Sequence, residues 1–107
     1  MSVIMTMRAK GDAAALERAA AEDPEKLAGI VARAKAAGLI AHRFYSSDGG
    51  EIMVCDEWPD PESFKRFFEA SRPDIEPLMA AAGVTAEPEV VFWHTMKMDD
   101  EVGWGAN

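Results

Sequence analysis

An α+β domain built on a four-stranded antiparallel sheet is what this sequence predicts, and three observations predict it. Four short segments alternate in polarity with a period of two, and two intervening stretches are rich in helix formers. Along 107 residues their order is strand, helix, strand, strand, helix, strand. That is the split β-α-β arrangement of ferredoxin-like folds, with the helical segments on one side of the sheet.

Each element has a local cause. In Val3 to Arg8, the side chains of Val3, Met5 and Met7 share one face, and those of Ile4, Thr6 and Arg8 the other. Lys10-Gly11-Asp12 supplies a turn and a helix N-cap. From Ala13 to Ala37 the chain is dominated by Ala, Glu, Lys, Arg and Leu, broken at Asp23-Pro24. Asp is a good cap and proline fits the first helical position, so two helices or one kinked helix meet near residue 23. Leu27, Ile30, Val31 and Ala34 form the apolar stripe of the second piece, and Gly38 is its stop. Leu39 to Ser46 is the second strand, Asp48-Gly49-Gly50 a hairpin turn, and Glu51 to Glu57 the returning strand. Asp60 caps the next helix and Pro61 opens it; Phe64, Phe67 and Phe68 then make a buried aromatic stripe. Pro73 is expected to break that helix, with Ser71 capping a second short one that runs to Ala82 ahead of Gly83. After a loop over Val84 to Pro88, Glu89 to Lys97 is the last strand.

Length and composition narrow the function. The chain fits a single domain, expected over residues 1–98, followed by an acidic, then Gly- and Trp-containing tail over 99–107 that is expected to be flexible. With 11 Lys and Arg against 19 Asp and Glu, the net charge of -8 repels a phosphate backbone and an anionic membrane surface, so neither nucleic acid nor membrane is an expected partner. One cysteine, Cys55, leaves no intrachain disulfide and no multi-cysteine metal site. The N-terminal MSVIMTMRAKGD has no continuous apolar stretch of the secretory kind, and no window approaches the roughly 20 apolar residues of a spanning helix. A cytoplasmic location is the expectation.

Both period-two faces of the sheet are apolar. The first carries Val3, Met5, Met7, Ile40, His42, Phe44, Ile52, Val54, Val90, Phe92, His94 and Met96, and the second Ile4, Leu39, Ala41, Tyr45, Met53, Cys55, Val91 and Trp93 among others. A sheet with one wet face alternates more cleanly, and helices cover only one side. A second copy of the chain is the expected cover for the other, giving a homodimer.

The element order, the hairpin at Asp48-Gly49-Gly50 and the run DEWPDPESFKRFF from Asp56 to Phe68 resemble the antibiotic-biosynthesis-monooxygenase-like family of the dimeric α+β barrel superfamily. The resemblance spans about residues 3 to 97 and implies a dimeric barrel. The family includes cofactor-independent oxygenases of polycyclic aromatic substrates and haem-degrading enzymes. The oxygenases combine Asn, Arg, Tyr and Trp in the pocket, whereas the first strand here has Thr6 and no Asn. The haem-degrading subgroup uses an Asn in the first strand and a histidine in a helical segment, and no predicted helix here holds a histidine. No bound cofactor is therefore expected, and haem is disfavoured.

The candidate site residues each carry two readings. His42 and His94 share a predicted face and suit a general base or haem ligand, or equally a hydrogen-bonded histidine at an interface. The strands that carry them lie at opposite edges in this fold, so they need not meet within one chain. Arg43, Tyr45 and Trp93 share the second face. If helices cover it, Arg43 and Tyr45 stabilise a substrate anion and Trp93 stacks a flat ligand; otherwise they are a snorkelling arginine and two core aromatics. Phe64 and Phe68 are candidate apolar walls for that ligand, and Trp58 either gates the pocket or anchors strand to helix. Asp56 is expected to bond Trp58, the helix cap or a partner chain rather than to act as a raised-pKa acid. Cys55 is expected to be a structural thiol.

The first functional expectation is oxidation of a flat aromatic or quinol-type molecule by O2 without a protein-bound cofactor. The alternatives are a non-catalytic small-molecule-binding or interaction module of the same fold, and a proton-transfer isomerase or cyclase.

Overall fold

Every inward position of the third strand is buried and every outward one is only half-buried, and this alternation organises the chain. In the computed structural model, which describes residues 1–103, the elements are β1 (Val3–Lys10), α1 (Ala13–Glu22), α2 (Pro24–Ala36), β2 (Ala41–Ser46), β3 (Glu51–Trp58), α3 (Pro61–Ala81) and β4 (Glu89–Trp93). The sheet order is β2-β3-β1-β4, with all neighbours antiparallel. This is the ferredoxin-like α+β fold that the element order predicts. The tail expected over residues 99–107 lies outside the described residues from position 104 onward.

The helix ends follow the predicted caps. Asp12, Asp23 and Asp60 each accept a hydrogen bond from a backbone N–H of the first turn, and α1 and α2 are separate helices joined at Asp23. Asp60 accepts the Ser63 N–H at 2.7 Å, and this bond pulls its carboxyl below the ordinary range. The α2 exit is a Schellman turn: Gly38, at φ +116°, donates to Lys35 and Leu39 donates to Ala34. The same pair of bonds closes α3, from Gly83 to Ala80 and from Val84 to Met79. Gly11 is needed for proximity, since a Cβ there would lie 3.0 Å from both Ile52 and Val84.

Strands β1 and β3 run past the expected Arg8 and Glu57 to Lys10 and Trp58, and three further boundaries differ from expectation. The strand predicted from Leu39 starts at Ala41, because the Leu39 amide is taken by the α2 terminus. The last strand ends at Trp93 rather than Lys97, because its partner β1 begins at Val3, one step beyond the Ile4–Trp93 pair. The helix expected to break at Pro73 continues for 21 residues through both Pro73 and Pro77, and Ser71 is buried within it rather than capping a new helix. An interior proline costs about 3 kcal/mol. Burying a large apolar side chain returns roughly 1.5–3 kcal/mol, and α3 turns Phe64, Phe68, Ile75 and Leu78 toward the sheet along its whole length. Packing thus outweighs the local break.

All three helices lie on one face of the sheet. The core beneath them holds Val3, Met5, Ala34, Val54, Trp58 and Phe64. Trp58 is fully buried and packs against Phe64 and Phe67, with ring centroids 5.8 and 5.5 Å away. No helix among the described residues is long and apolar enough to cross a membrane.

Met5 is fully buried at the centre of β1, paired to Asp56 on one side and Phe92 on the other. Met5→Ala should lower unfolding free energy by about 2–5 kcal/mol in urea melts. A loss under about 1 kcal/mol would mean that the core collapses around the gap and that β1 is not its centre.

Candidate functional site

The sheet and the helices do not close completely on each other. Between them lies a cavity of about 400 Å3, within the range of small-molecule sites. Its wall is overwhelmingly apolar: Met5, Met7 and Val54 come from the sheet, Leu16, Leu27 and Ile30 from α1 and α2, and Phe64, Phe67 and Phe68 from α3. The ring of Phe68 is backed by the Arg72 guanidinium 5.1 Å from its centroid, and Arg72 also pairs with Glu87 of the loop before β4. That pair ties the far end of α3 to the loop whose Val84 and Pro88 complete the wall.

The principal polar feature of this wall is a pair of side chains from neighbouring strands. Antiparallel register sets His42 of β2 opposite Asp56 of β3, with both side chains on the helix-covered face. His42 Nδ1 lies 2.7 Å from Asp56 Oδ1, and the Trp58 indole N–H donates to Asp56 Oδ2 at 3.1 Å. The Asp56 side chain is 7% exposed and that of His42 28%, so the carboxylate is set in the core while the imidazole reaches the cavity surface. The Phe44 ring meets the imidazole edge-on at 5.1 Å.

The sequence-predicted residues divide between the two faces. His42, Tyr45, Phe64 and Phe68 border the cavity. Arg43 and Trp93 do not, because the helices cover the face that carries Met5, Val54 and Asp56 rather than theirs. Arg43 is paired with Cys55 across the hairpin, and Trp93 with Ile4, on the face the helices leave open. There the Trp93 indole donates to Thr6 Oγ1 at 2.8 Å, and Arg43 reaches the Tyr45 hydroxyl at 3.4 Å. The condition under which Arg43, Tyr45 and Trp93 would together line a sheet-to-helix pocket is therefore not met. Tyr45 borders the cavity only at the edge of β2, between Phe44 and Ser46, while its side chain lies with that of Arg43 on the open face. His94 follows the end of β4, on the strand at the opposite edge from His42. Trp58 takes the anchoring role: it is buried behind Asp56 and packed by two phenylalanines.

Asp56 lines the cavity as well, a position for which its sequence context favours structural bonding over the role of an acid. Its bond to Trp58 was among the expected partners; its bond to His42 was not. The missed signal was the hairpin register, since a tight turn at residues 47–50 places positions 42 and 56 side by side. Asp56 and Glu57 point to opposite faces, as adjacent strand residues must, and make no carboxylate pair.

No family model matches the chain, and neither does any curated protein. Solved structures do match its fold. SnoaB, described as a cofactor-independent oxygenase from Streptomyces nogalater, superposes with a TM-score of 0.57 at 17% identity, covering 94% of this chain and 98% of that one. A protein described as an antibiotic biosynthesis monooxygenase gives 0.61 at 14% identity, covering 91% and 100%. A protein described as dimeric and ferredoxin-like, from an uncultured marine organism, gives 0.59 at 14% identity, covering 90% and 89%. In fold, the chain resembles the antibiotic-biosynthesis-monooxygenase group.

Cys55 faces away from the cavity, half-buried on the open side of β3. Burial first, and the Asp56 charge second, push its thiol upward; Arg43 opposes them more weakly. Its alkylation by iodoacetamide at pH 7 should be slower than that of an unhindered thiol, with the rate rising only above the ordinary range near pH ~8.5. Alkylation at pH 7 as fast as that of glutathione would show that Cys55 is activated instead.

Proposed function

We propose that this chain binds a flat, largely hydrocarbon aromatic molecule between sheet and helices and oxidises it with O2 without a protein-bound cofactor. The observation that carries this reading is the cavity of about 400 Å3, apolar nearly throughout, with His42 and Asp56 at its wall. The likeness in fold to SnoaB, itself described as a cofactor-independent oxygenase, supports it.

An activated methylene flanked by aromatic rings loses a proton to a base, and the resulting carbanion is electron-rich enough to reduce O2. Over the whole reaction two C–H bonds are lost, one oxygen atom becomes a ketone oxygen and the other leaves as water. Four electrons pass from substrate to O2, so the substrate is its own reductant. His42 is the side chain placed to take the first proton. Phe64 and Phe68 offer faces for stacking, and the apolar wall raises the carbanion's reactivity by excluding water. Arg43 and Trp93 have no place in this chemistry within one chain.

The working unit in this proposal is a homodimer. The open face presents Ile4, Val91, Tyr45 and Trp93, with Trp93 52% and Tyr45 40% exposed. Shielding such a surface in water is worth about 25 cal/mol per Å2, and a two-fold copy offers a surface that matches itself. The dimeric, ferredoxin-like structural neighbour supports this arrangement.

Light scattering should give a mass twice the 11.6 kDa of one chain, and Trp93→Glu should return it to the single-chain value. A native particle of 11.6 kDa at micromolar concentration would remove the dimer.

Oxygen uptake with a panel of anthrones and quinols should detect turnover, and His42→Ala should reduce it by about 10^2-fold or more. Saturable binding of the panel with no oxygen consumed would make the protein a binding module. Conversion without oxygen would make it an isomerase.

A further inference from the structure

Asp56 is a buried carboxylate with no lysine or arginine partner among the described residues; its partners are a tryptophan and a histidine. Both oxygens are used, Oδ2 by the Trp58 indole at 3.1 Å and Oδ1 by His42 at 2.7 Å. With Asp56 as a carboxylate, which only accepts hydrogen bonds, the nitrogen facing it, Nδ1, is the one that carries a proton. Turning the imidazole over would set a carbon against Oδ1 and leave a buried carboxylate oxygen without a donor. The Phe44 ring, edge-on at 5.1 Å, packs against the imidazole and holds its plane. Trp58 itself is immovable, since it is fully buried between Phe64 and Phe67.

We propose that Asp56, pinned by Trp58, is a positioning residue that holds neutral His42 as the Nδ1–H tautomer, so that its Nε2 lone pair serves the cavity as the acceptor for the proton of an uncharged weak acid. Nε2 makes no hydrogen bond to any described residue, and His42 borders the cavity. The other charged side chain in that wall is Glu17, and no lysine or arginine contributes to it. The wall therefore repels a ligand that arrives as an anion and accepts one that arrives neutral and ionises in place. Among small aromatic molecules, that selects a hydroxyl or acidic methylene over a carboxylate. This inference rests on the cavity being the ligand site proposed above.

Two measurements test it. The chain has 2 histidines, so its imidazole 15N spectrum is simple, and His42→Ala identifies the His42 signals by their loss. At pH 8 the native protein should show His42 protonated on Nδ1 and bare on Nε2. Asp56→Asn should shift the balance toward the Nε2–H tautomer that free histidine favours. A native spectrum with Nε2 of His42 protonated, whether as that tautomer or as imidazolium, overturns the inference, and contact of the ring protons with Phe44 assigns the His42 signals independently of any variant.

The second measurement compares binding of naphthalene, 2-naphthol and 2-naphthoate at pH 7. The naphthol should bind about fivefold or more tighter than naphthalene, the naphthoate weaker than either, and the naphthol advantage should disappear in His42→Ala. Naphthoate binding as tightly as naphthol would overturn the charge argument. Naphthalene binding with no gain from the hydroxyl would overturn the role of Nε2 and leave the cavity reading standing. If none of the three binds, the cavity is not a ligand site, and both proposals fall.

Discussion

One constraint shapes this molecule: a twisted sheet of four strands carries helices on a single face, and every side chain turned toward them must be apolar or paired. Strand β3 shows it most plainly, with Ile52, Val54, Asp56 and Trp58 all buried in alternation. Three of those four side chains are mainly hydrocarbon. The fourth is a carboxylate, and it survives burial because two donors converge on it. Removing either donor would leave part of a buried charge uncompensated, the kind of change that costs most in a protein interior.

The same constraint makes the cavity. Helix α3 runs unbroken past two prolines, so its aromatic first half and aliphatic second half both face the sheet. Helices α1 and α2 close the side, but Ala13, Ala20 and Ala34 on their cavity-lining faces are too small to fill the space over β1 and β3. Small residues on the helices and a histidine on an edge strand together leave room where a fully packed core would have none. The polar pair stands in the wall of that room, which joins the pairing of Asp56 to the chemistry of whatever enters.

The open face answers to a different rule. Strand β2, at the sheet edge, is exposed along its whole length on both faces, and the outward residues of β1 and β4 include Ile4, Val91 and Trp93. Arg8 bridges Glu51 and Glu89 across three strands, so this face has a charged end and an apolar centre. Surface ion pairs of that kind add little stability. They do set a boundary around the apolar patch, as the polar rim of a protein interface does.

The order of elements, the three aspartate caps, the hairpin and the two glycine helix exits were legible in the sequence, because each depends on a few adjacent residues and on the steric rules of a short stretch of backbone. The period-two pattern also separated the two faces of each strand correctly. What it could not decide was which face the helices would take, since both are apolar, and that choice moved Arg43 and Trp93 away from the cavity. Nor could it join His42 to Asp56, which are 14 residues apart and meet only through the register of a strand pair. Pro73 shows the same limit: a local rule predicts a break, and only burial along the whole of α3 overrules it. Local geometry is written residue by residue, whereas the assignment of faces, the continuity of a helix and the meeting of two polar side chains are collective outcomes of packing.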